Sequence, residues 1–400
     1  MFGTFINTEI FMKKTTLRLF ALLLALALCL SLASCYDFEL SGTSGGASHS
    51  GGSKNNKNNK NGKNDKNDKI EGIETLAEVV SSGELQIHFL ELGNKYTGDC
   101  TYIKAGENDI LIDAGSRVSS IETIDEYISN FVSDGKLEYV IVTHAHQDHY
   151  AGFATSEKTD SLFDLYECEV IIDFSQITSG KEDGAQYKNY IRERDDEIAK
   201  GAKHYTAAEA VAMGGEFDLG EGITLTVLDS YYYHNRAKNE NDHSVCTLID
   251  DGKNSYLFTG DLEAEGEEKL VEMNDLPRVK LYKAGHHGSK TSSSEALLSV
   301  IRPEIVCVCC CAGSSEYTDA NENQFPTQKF IDRVAPYTDK VYVTTLCVDY
   351  KNGEFTSMNG NIVIYSVAGN VNLAFSANDK KLKDTDWFKK NRSVPAAWAS

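Results

Sequence analysis

The body of this chain is predicted to be an α/β fold, two β-sheets with helices outside, forming a single catalytic domain. Three observations predict it. Short apolar runs of strand length recur from about residue 83 onward, and stretches with helical spacing are interleaved with them. With 400 residues, 41% of them hydrophobic and 25% charged, the chain can bury a sizeable core. No internal repeat of solenoid period is visible.

The elements follow from local pattern. LQIHFLEL (Leu85–Leu92) alternates with period two, as a half-buried strand does. CTYIKAG and DILIDAG are short strands joined by a tight turn. SSIETIDEYISNFVSD starts on serine and spaces Ile121, Ile124, Tyr127 and Phe131 as a helix does. LEYVIVT is a buried strand that runs into THAHQDH. CEVIIDFS is a strand and AQYKNYIRERDDEIAKG a helix. ITLTVLDS, VCTLID and SYLFTG are strands, the last delivering Asp261. VKLYKAG is a strand that delivers His286 and His287, and EALLSVIRP a helix. EIVCVCCCAG reads as a buried strand in which Cys307, Cys309, Cys310 and Cys311 serve as small apolar residues. Soft-metal binding by that dense cluster is the alternative. TQKFIDRVAPY is a helix, and KVYVTT and GNIVIYSVAG are closing strands. The expected domain spans residues 84–376, with 377–400 a peripheral tail.

The N-terminus reads as targeting rather than fold. Lys13, Lys14 and Arg18 precede LFALLLALALCLSLA, which suits a secretory signal, and an uncleaved anchor helix is the alternative. The stretch ends in LASC, which resembles a bacterial lipobox with Cys35 as the lipidated residue. Residues 1–35 are therefore expected to be a lipoprotein signal. Residues 36–83, rich in Gly, Ser, Asn and Lys, are expected to be a solvated spacer. The expected location is extracellular, tethered to the cell membrane through Cys35.

Charge narrows the partners. The chain carries −21 overall, residues 54–69 carry +4, and residues 70–400 therefore carry −25. So acidic a body repels polyanions unless bound cations reverse the local field, which disfavours nucleic acid as substrate. The pattern carries no signal for an oligomeric state.

The chemistry sits at strand ends, where side chains can point into a shared crevice. His144 and His146 are two apart on a turn, so both imidazoles can face one ion. Asp148 and His149 can serve a second beside it, and Asp261 can bridge the two. His286 or His287 can complete the second site, with His286 favoured. Imidazole and carboxylate suit Zn²⁺ or Mn²⁺, so two divalent cations are expected. Ser289, Lys290 and Thr291 beside them suit a phosphate oxygen; a solvated turn explains them as well. His204 and His234 read as surface residues.

THAHQDH resembles the metallo-β-lactamase superfamily signature. LQIHFLELGNKYTGDCTYIKAGENDILIDAG, FTGDLE and AGHHGSKTSSS are similar to the metallo-hydrolase domain of ComEC-type competence proteins. The resemblance covers roughly residues 85–371. It implies an αββα sandwich and a metal-dependent hydrolase, with the ligand roles just given. It also implies that Asp113 braces the histidine loop and that Asp99 lines the site. There are departures. Many superfamily members add a histidine between the loop and the bridging aspartate; DFSQITSGKEDG has none. His243 of NENDHSV stands where the family tends to carry Asn-x-x-Ser, as a substrate contact or an additional ligand. The family's His-Pro near the last helix is Phe325-Pro326.

The expected reaction is attack by a hydroxide that the two cations generate between them, with Asp148 or Asp261 relaying the proton. A phosphodiester, small or polymeric, is the first substrate class. A lactone, thioester or other ester on the same fold is the second. A tethered binding protein with a vestigial metal site is the third.

Overall fold

The computed structural model describes residues 75–399, apart from 157, 179 and 181. Cys35, the signal and most of the spacer lie outside the described residues. In chain order the strands are β1 (Leu85–Phe89), β2 (Thr101–Ala105), β3 (Asn108–Ile112), β4 (Lys136–Val142), β5 (Glu167–Asp173), β6 (Lys203–Thr206), β7 (Glu216–Asp218), β8 (Thr224–Val227), β9 (Thr247–Asp250), β10 (Ser255–Phe258), β11 (Leu281–Lys283), β12 (Ile305–Ala312), β13 (Val341–Asp349), β14 (Glu354–Ser357), β15 (Ile362–Val367) and β16 (Asn370–Phe375). They form two eight-stranded sheets, ordered β16-β15-β1-β2-β3-β4-β5-β6 and β14-β13-β12-β11-β10-β9-β8-β7.

In each sheet one block of strands runs parallel: β3 to β6, out to the edge of the first, and β10 to β13 in the second. Parallel strands are covered on both faces and so read as continuous apolar runs. The all-buried β12 is the clearest case. Its alternate residues face opposite ways. Cys307 and Cys309 join a core shared by the inner residues of both sheets, while Val306, Val308 and Cys310 join a second core. That second core is closed by Leu297, Leu298 and Ile301 of the helix Glu295–Ile301 and by Phe330, Ile331 and Val334 of the helix Gln328–Val334. On the first sheet the helix Ser120–Ile128 buries Ile121, Ile124, Tyr127 and Ile128. The layers are therefore helix, sheet, sheet, helix. Among the described residues no cysteine belongs to a group of potential metal ligands, and Cys307 and Cys309 face one core while Cys310 faces the other.

Two predicted boundaries move. A helical segment over residues 75–80 buries Leu76 and Val80 in the first core, so the fold begins before residue 84. The C-terminal segment is not peripheral. Leu382, Phe388 and Trp398 are buried in the second core, and Arg392 donates to the carbonyls of Pro326 and Gln324. Polar residues dominate the stretch by number, and Val394 is exposed, but Leu382, Phe388 and Trp398 turn inward. Among the described residues no helix is long and apolar enough to cross a membrane.

Candidate metal centre

The C-terminal ends of β3, β4, β10 and β11 carry Asp113, His144, Asp261 and the His286-His287 pair to one place. β2 runs antiparallel to β3, so the segment just before it brings in Asp99. Close backbone approach welds these turns together. The N–H of Asp99 donates to the carbonyl of Asp148 (3.0 Å) and that of Ala114 to His149 (2.7 Å). A Cβ on Gly115 would lie 1.7 Å from the Asp148 carbonyl oxygen, so only glycine fits there.

Asp113 is hydrogen-bonded to the histidine loop. It has a left-handed backbone (φ 60) and is buried. One oxygen accepts the Thr143 N–H (2.8 Å); the other accepts the Thr143 hydroxyl (2.8 Å) and lies 2.8 Å from His149 Nδ1. With Nδ1–H given to Asp113, His149 turns Nε2 toward Asp261, where it can serve as a ligand once that nitrogen gives up its proton. That Nε2 lies 3.2 Å from Asp261 Oδ2, and His287 Nε2 lies 3.3 Å from the same oxygen. His287 Nε2 is also 3.5 Å from Asp148 Oδ2, while its Nδ1 faces the Cys309 carbonyl at 2.9 Å. On the other side His144 Nε2 and His146 Nδ1 stand 3.0 Å apart. Ser244 Oγ accepts the N–H of Asp261 (3.0 Å) and sits 3.4 Å from His144 Nδ1.

Among the described residues four potential ligand groups have atoms within 4.8 Å of one another: His144, His149 and Asp261; Asp148, His149 and His287; Asp99, Asp261 and His287; and Asp99, Asp113 and His149. The histidine favoured for the second site was His286, but the structure puts His287 there. His287 is buried, whereas His286 is partly exposed, has Nδ1 3.2 Å from Glu263 and reaches Asp261 only at 3.9 Å. Both residues take left-handed backbone (φ 46 and 55), so strand alternation does not decide which one faces in.

The remaining predicted residues fall around this cluster. Asp99 is within it, ion-paired to the ammonium of Lys283 and 3.2 Å from His287 Nδ1. Thr291 donates its hydroxyl to Glu263 (3.0 Å), and Ser289 Oγ lies 2.9 Å from that hydroxyl. Lys290 is exposed and gives its ammonium to Asn323 Oδ1 (2.8 Å). His243 is buried with Nδ1 on the Tyr232 carbonyl (3.2 Å) and belongs to no ligand group. Its burial leaves no face for a substrate. His204 is not simply a surface residue: Nε2 lies 2.8 Å from the buried Asp173, which also accepts from Arg194 and Tyr190.

Sequence reasoning missed Lys283 and Tyr317. Lys283 is buried, donates to the Gly260 carbonyl (3.0 Å) and lies 3.8 Å from Asp261 Oδ1. A lysine inside the apolar strand VKLYKAG was the available signal, since a buried lysine requires a partner. Tyr317 donates to Asp148 Oδ2 at 2.7 Å, and nothing in its surroundings in sequence marks it.

The electrostatics are those of a cation site. Burial alone would lower His149 and His287, but Asp261 with Asp113, and Asp261 with Asp99, hold them well above the ordinary histidine range. Burial would raise Asp148, but His287 and His149 hold it far below the ordinary carboxylate range. Burial, then the His149 and His146 rings, pushes His144 well down. Without a cation the cluster thus shares protons between rings and carboxylates. His149 Nε2, His287 Nε2 and Asp261 Oδ1 are buried and make no well-aligned hydrogen bond; each faces only an opposite charge, at 3.2, 3.3 and 3.8 Å. Imidazole and carboxylate are the donors a divalent cation takes, so the residues fit the group.

Comparison with known proteins agrees. Recombination protein 2 of Haemophilus influenzae is 30% identical over 274 residues, 68% of this chain and 29% of that protein. ComE operon protein 3 of Bacillus subtilis is 25% identical over 297 residues, 68% of this chain and 34% of that protein. The chain thus spans about a third of the length of these relatives. Among solved structures, the metallo-beta-lactamase fold protein YhfI from Bacillus subtilis aligns over 68% of this chain and 99% of its own at 11% identity, with a TM-score of 0.38. Residues 93–159, which hold Asp99, Asp113 and the whole histidine loop, match the metallo-beta-lactamase superfamily model, and the chain carries a domain of that superfamily.

Proposed function

We propose that the chain is a metal-dependent hydrolase that cleaves phosphodiesters, and that it works outside the cell, anchored through Cys35. The observation that carries the hydrolase reading is the convergence of buried ring nitrogens and carboxylate oxygens, His149 Nε2, His287 Nε2 and Asp261, with Asp148 and the His144–His146 pair. Two divalent cations would be held there, one by His144, His146 and Asp261 and one by Asp148, His149, His287 and Asp261. When bound they supply Lewis acidity and a nucleophile at neutral pH. The chain's own residues do the rest. Asp113 holds His149 in one tautomer. Lys283 neutralises Asp99 and leaves Asp261 for the cations. Asp148, held ionised by its histidines, stands as an anionic ligand and as the acceptor of the Tyr317 hydroxyl.

A phosphodiester suits the site because cations would reverse the field of a strongly acidic body only at this one place. The names of the relatives, a recombination protein and a competence-operon protein, support a phosphodiester of some kind. The test is metal analysis of the full chain with hydrolysis of bis-p-nitrophenyl phosphate and of p-nitrophenyl acetate, on wild type, His287→Ala and His286→Ala. Near two cations per chain, phosphodiester turnover, and loss of both in His287→Ala but not His286→Ala would support the reading. Turnover of the acetate alone would move the chemistry to carboxylic esters. No cation and no turnover after loading with Zn²⁺ or Mn²⁺ would leave a binding protein. Intact-mass measurement of the same protein made in a bacterial host tells whether Cys35 carries acyl chains.

A further inference from the structure

We propose that Tyr317 is a substrate-contacting residue whose phenol donates a hydrogen bond to a non-bridging oxygen of the phosphodiester. This rests on the phosphodiesterase reading above. Tyr317 lies on the loop between β12 and the helix Gln328–Val334. The residue is 56% exposed, yet its hydroxyl is the part that is engaged, 2.7 Å from Asp148 Oδ2. A tyrosine kept for packing buries its ring; this one leaves the ring at the surface and aims the hydroxyl into the cluster. The same Asp148 oxygen lies 3.5 Å from His287 Nε2, so the phenol adjoins the second ligand group directly.

The loop is held in place, not draped. Glu316 accepts the Thr97 N–H (2.8 Å) and pairs with Arg117 (2.6 Å), whose guanidinium packs over the Tyr96 ring at 4.1 Å. These contacts tie the loop to the segment that carries Asp99. On its other flank the Tyr317 ring meets Phe325 (5.8 Å between centroids), and Phe325 packs against His286 and His287 at 5.7 and 5.8 Å. Tyr317 thus has a fixed base and a ring wall beside the histidines.

Chemistry selects this residue over its neighbours. The reaction concentrates negative charge on the non-bridging oxygens, and a donor already aimed there stabilises it. Two cationic side chains near the same mouth are committed: Arg117 to Glu316 and Lys290 to Asn323. A neutral phenol supplies a donor without adding a charge that would compete with the cations for Asp148. It needs only to turn its O–H from Asp148 to the arriving substrate.

The experiment compares wild-type full chain with Tyr317→Phe, which keeps the ring and removes the donor. Three quantities are read: kcat and KM for bis-p-nitrophenyl phosphate, affinity for inorganic phosphate, and cation affinity by calorimetry. We expect kcat to fall on the order of 10²-fold, as loss of one aimed donor does. Phosphate affinity should fall with it, while KM moves little and cation affinity and melting temperature stay unchanged. Unchanged kcat and phosphate affinity would overturn the proposal. So would a loss that tracks an equal loss of cation affinity, since Tyr317 would then merely hold Asp148. If wild type binds cations but hydrolyses no phosphodiester, the functional reading fails by itself. The phosphate measurement then still judges Tyr317: dependence on it supports the contact, and independence overturns it.

Discussion

Replacing Asp113 by Asn separates two jobs of one carboxylate. Asn keeps the shape and tolerates the left-handed backbone at φ 60. Its Oδ1 can still accept the Thr143 N–H, now 2.8 Å from Asp113 Oδ1. The second oxygen becomes an NH₂ facing the Thr143 hydroxyl and His149 Nδ1, both 2.8 Å away. The hydroxyl can rotate to accept. His149 can avoid a donor–donor clash only by moving its proton to Nε2, which is the atom aimed at Asp261. The metal-free protein then loses little, about 1–3 kcal/mol for one charge-assisted bond exchanged for a neutral one. Cation affinity should fall ~10–100-fold, the usual cost of disturbing a ligand's supporting partner. Asp113→Ala instead leaves the Thr143 N–H, the Thr143 O–H and the His149 N–H without their acceptor in a buried site. It should cost roughly 3–6 kcal/mol, a large share of a typical domain's total. Calorimetric titration with Zn²⁺, beside thermal melts of the metal-free proteins, reads both effects. Wild-type cation affinity in Asp113→Asn would refute the tautomer argument, and equal destabilisation by Asn and Ala would reduce Asp113 to a turn brace.

Two further outcomes follow from the same contacts. Asp242 is raised to about 6, chiefly by burial and by Glu263 and Glu265, although the Glu263 N–H opposes this. Below that value the folded carboxyl keeps a proton that the unfolded chain loses near 3.8, so its contribution to stability falls as pH rises between the two. Solvent screening at the rim limits the cost to about 1 kcal/mol. Asp242→Asn should therefore melt higher than wild type at pH 7.5, with the gain vanishing toward pH 4; a gain independent of pH counts against the assignment. Phe388→Ala should cost about 3–5 kcal/mol, because a fully buried ring leaves a cavity. A change under 1 kcal/mol in denaturant melts would restore the peripheral reading of the C-terminal segment.

How far the chain could be read before folding depends on which physical signal each residue carries. THAHQDH was legible because ligand chemistry and strand end coincide in one short stretch. β12 was legible because eight apolar residues in a row have no other use. Three thiols of the four-cysteine cluster pack in the cores, Cys307 and Cys309 in one and Cys310 in the other, as alternation along a buried strand distributes them. Three things were not legible. The choice between His286 and His287 depends on two successive left-handed residues, which break the alternation a strand would impose. The C-terminal segment hides its burial in isolated residues: both tryptophans of the chain lie in it, yet no periodic run links them to Leu382 and Phe388. Lys283 and Tyr317 meet their partners across sequence gaps of well over one hundred residues, a relation that no local window contains.

The buried charges of the centre follow from where its scaffold ends. The central parallel strands stop together, leaving carbonyls and turns where water would enter, and the carboxylates of Asp99, Asp113, Asp148 and Asp261 fill that space. One lysine and a shared set of protonated rings cannot neutralise four carboxylates without holding the histidines well above their ordinary range, as His149 and His287 are held. Replacing those protons by divalent cations would keep each carboxylate paired and turn the ring nitrogens into ligands. Cation binding should therefore release protons near neutral pH and weaken as the solution is acidified. The same crowding of carboxylates and imidazoles at the strand ends is what suits the site to cations.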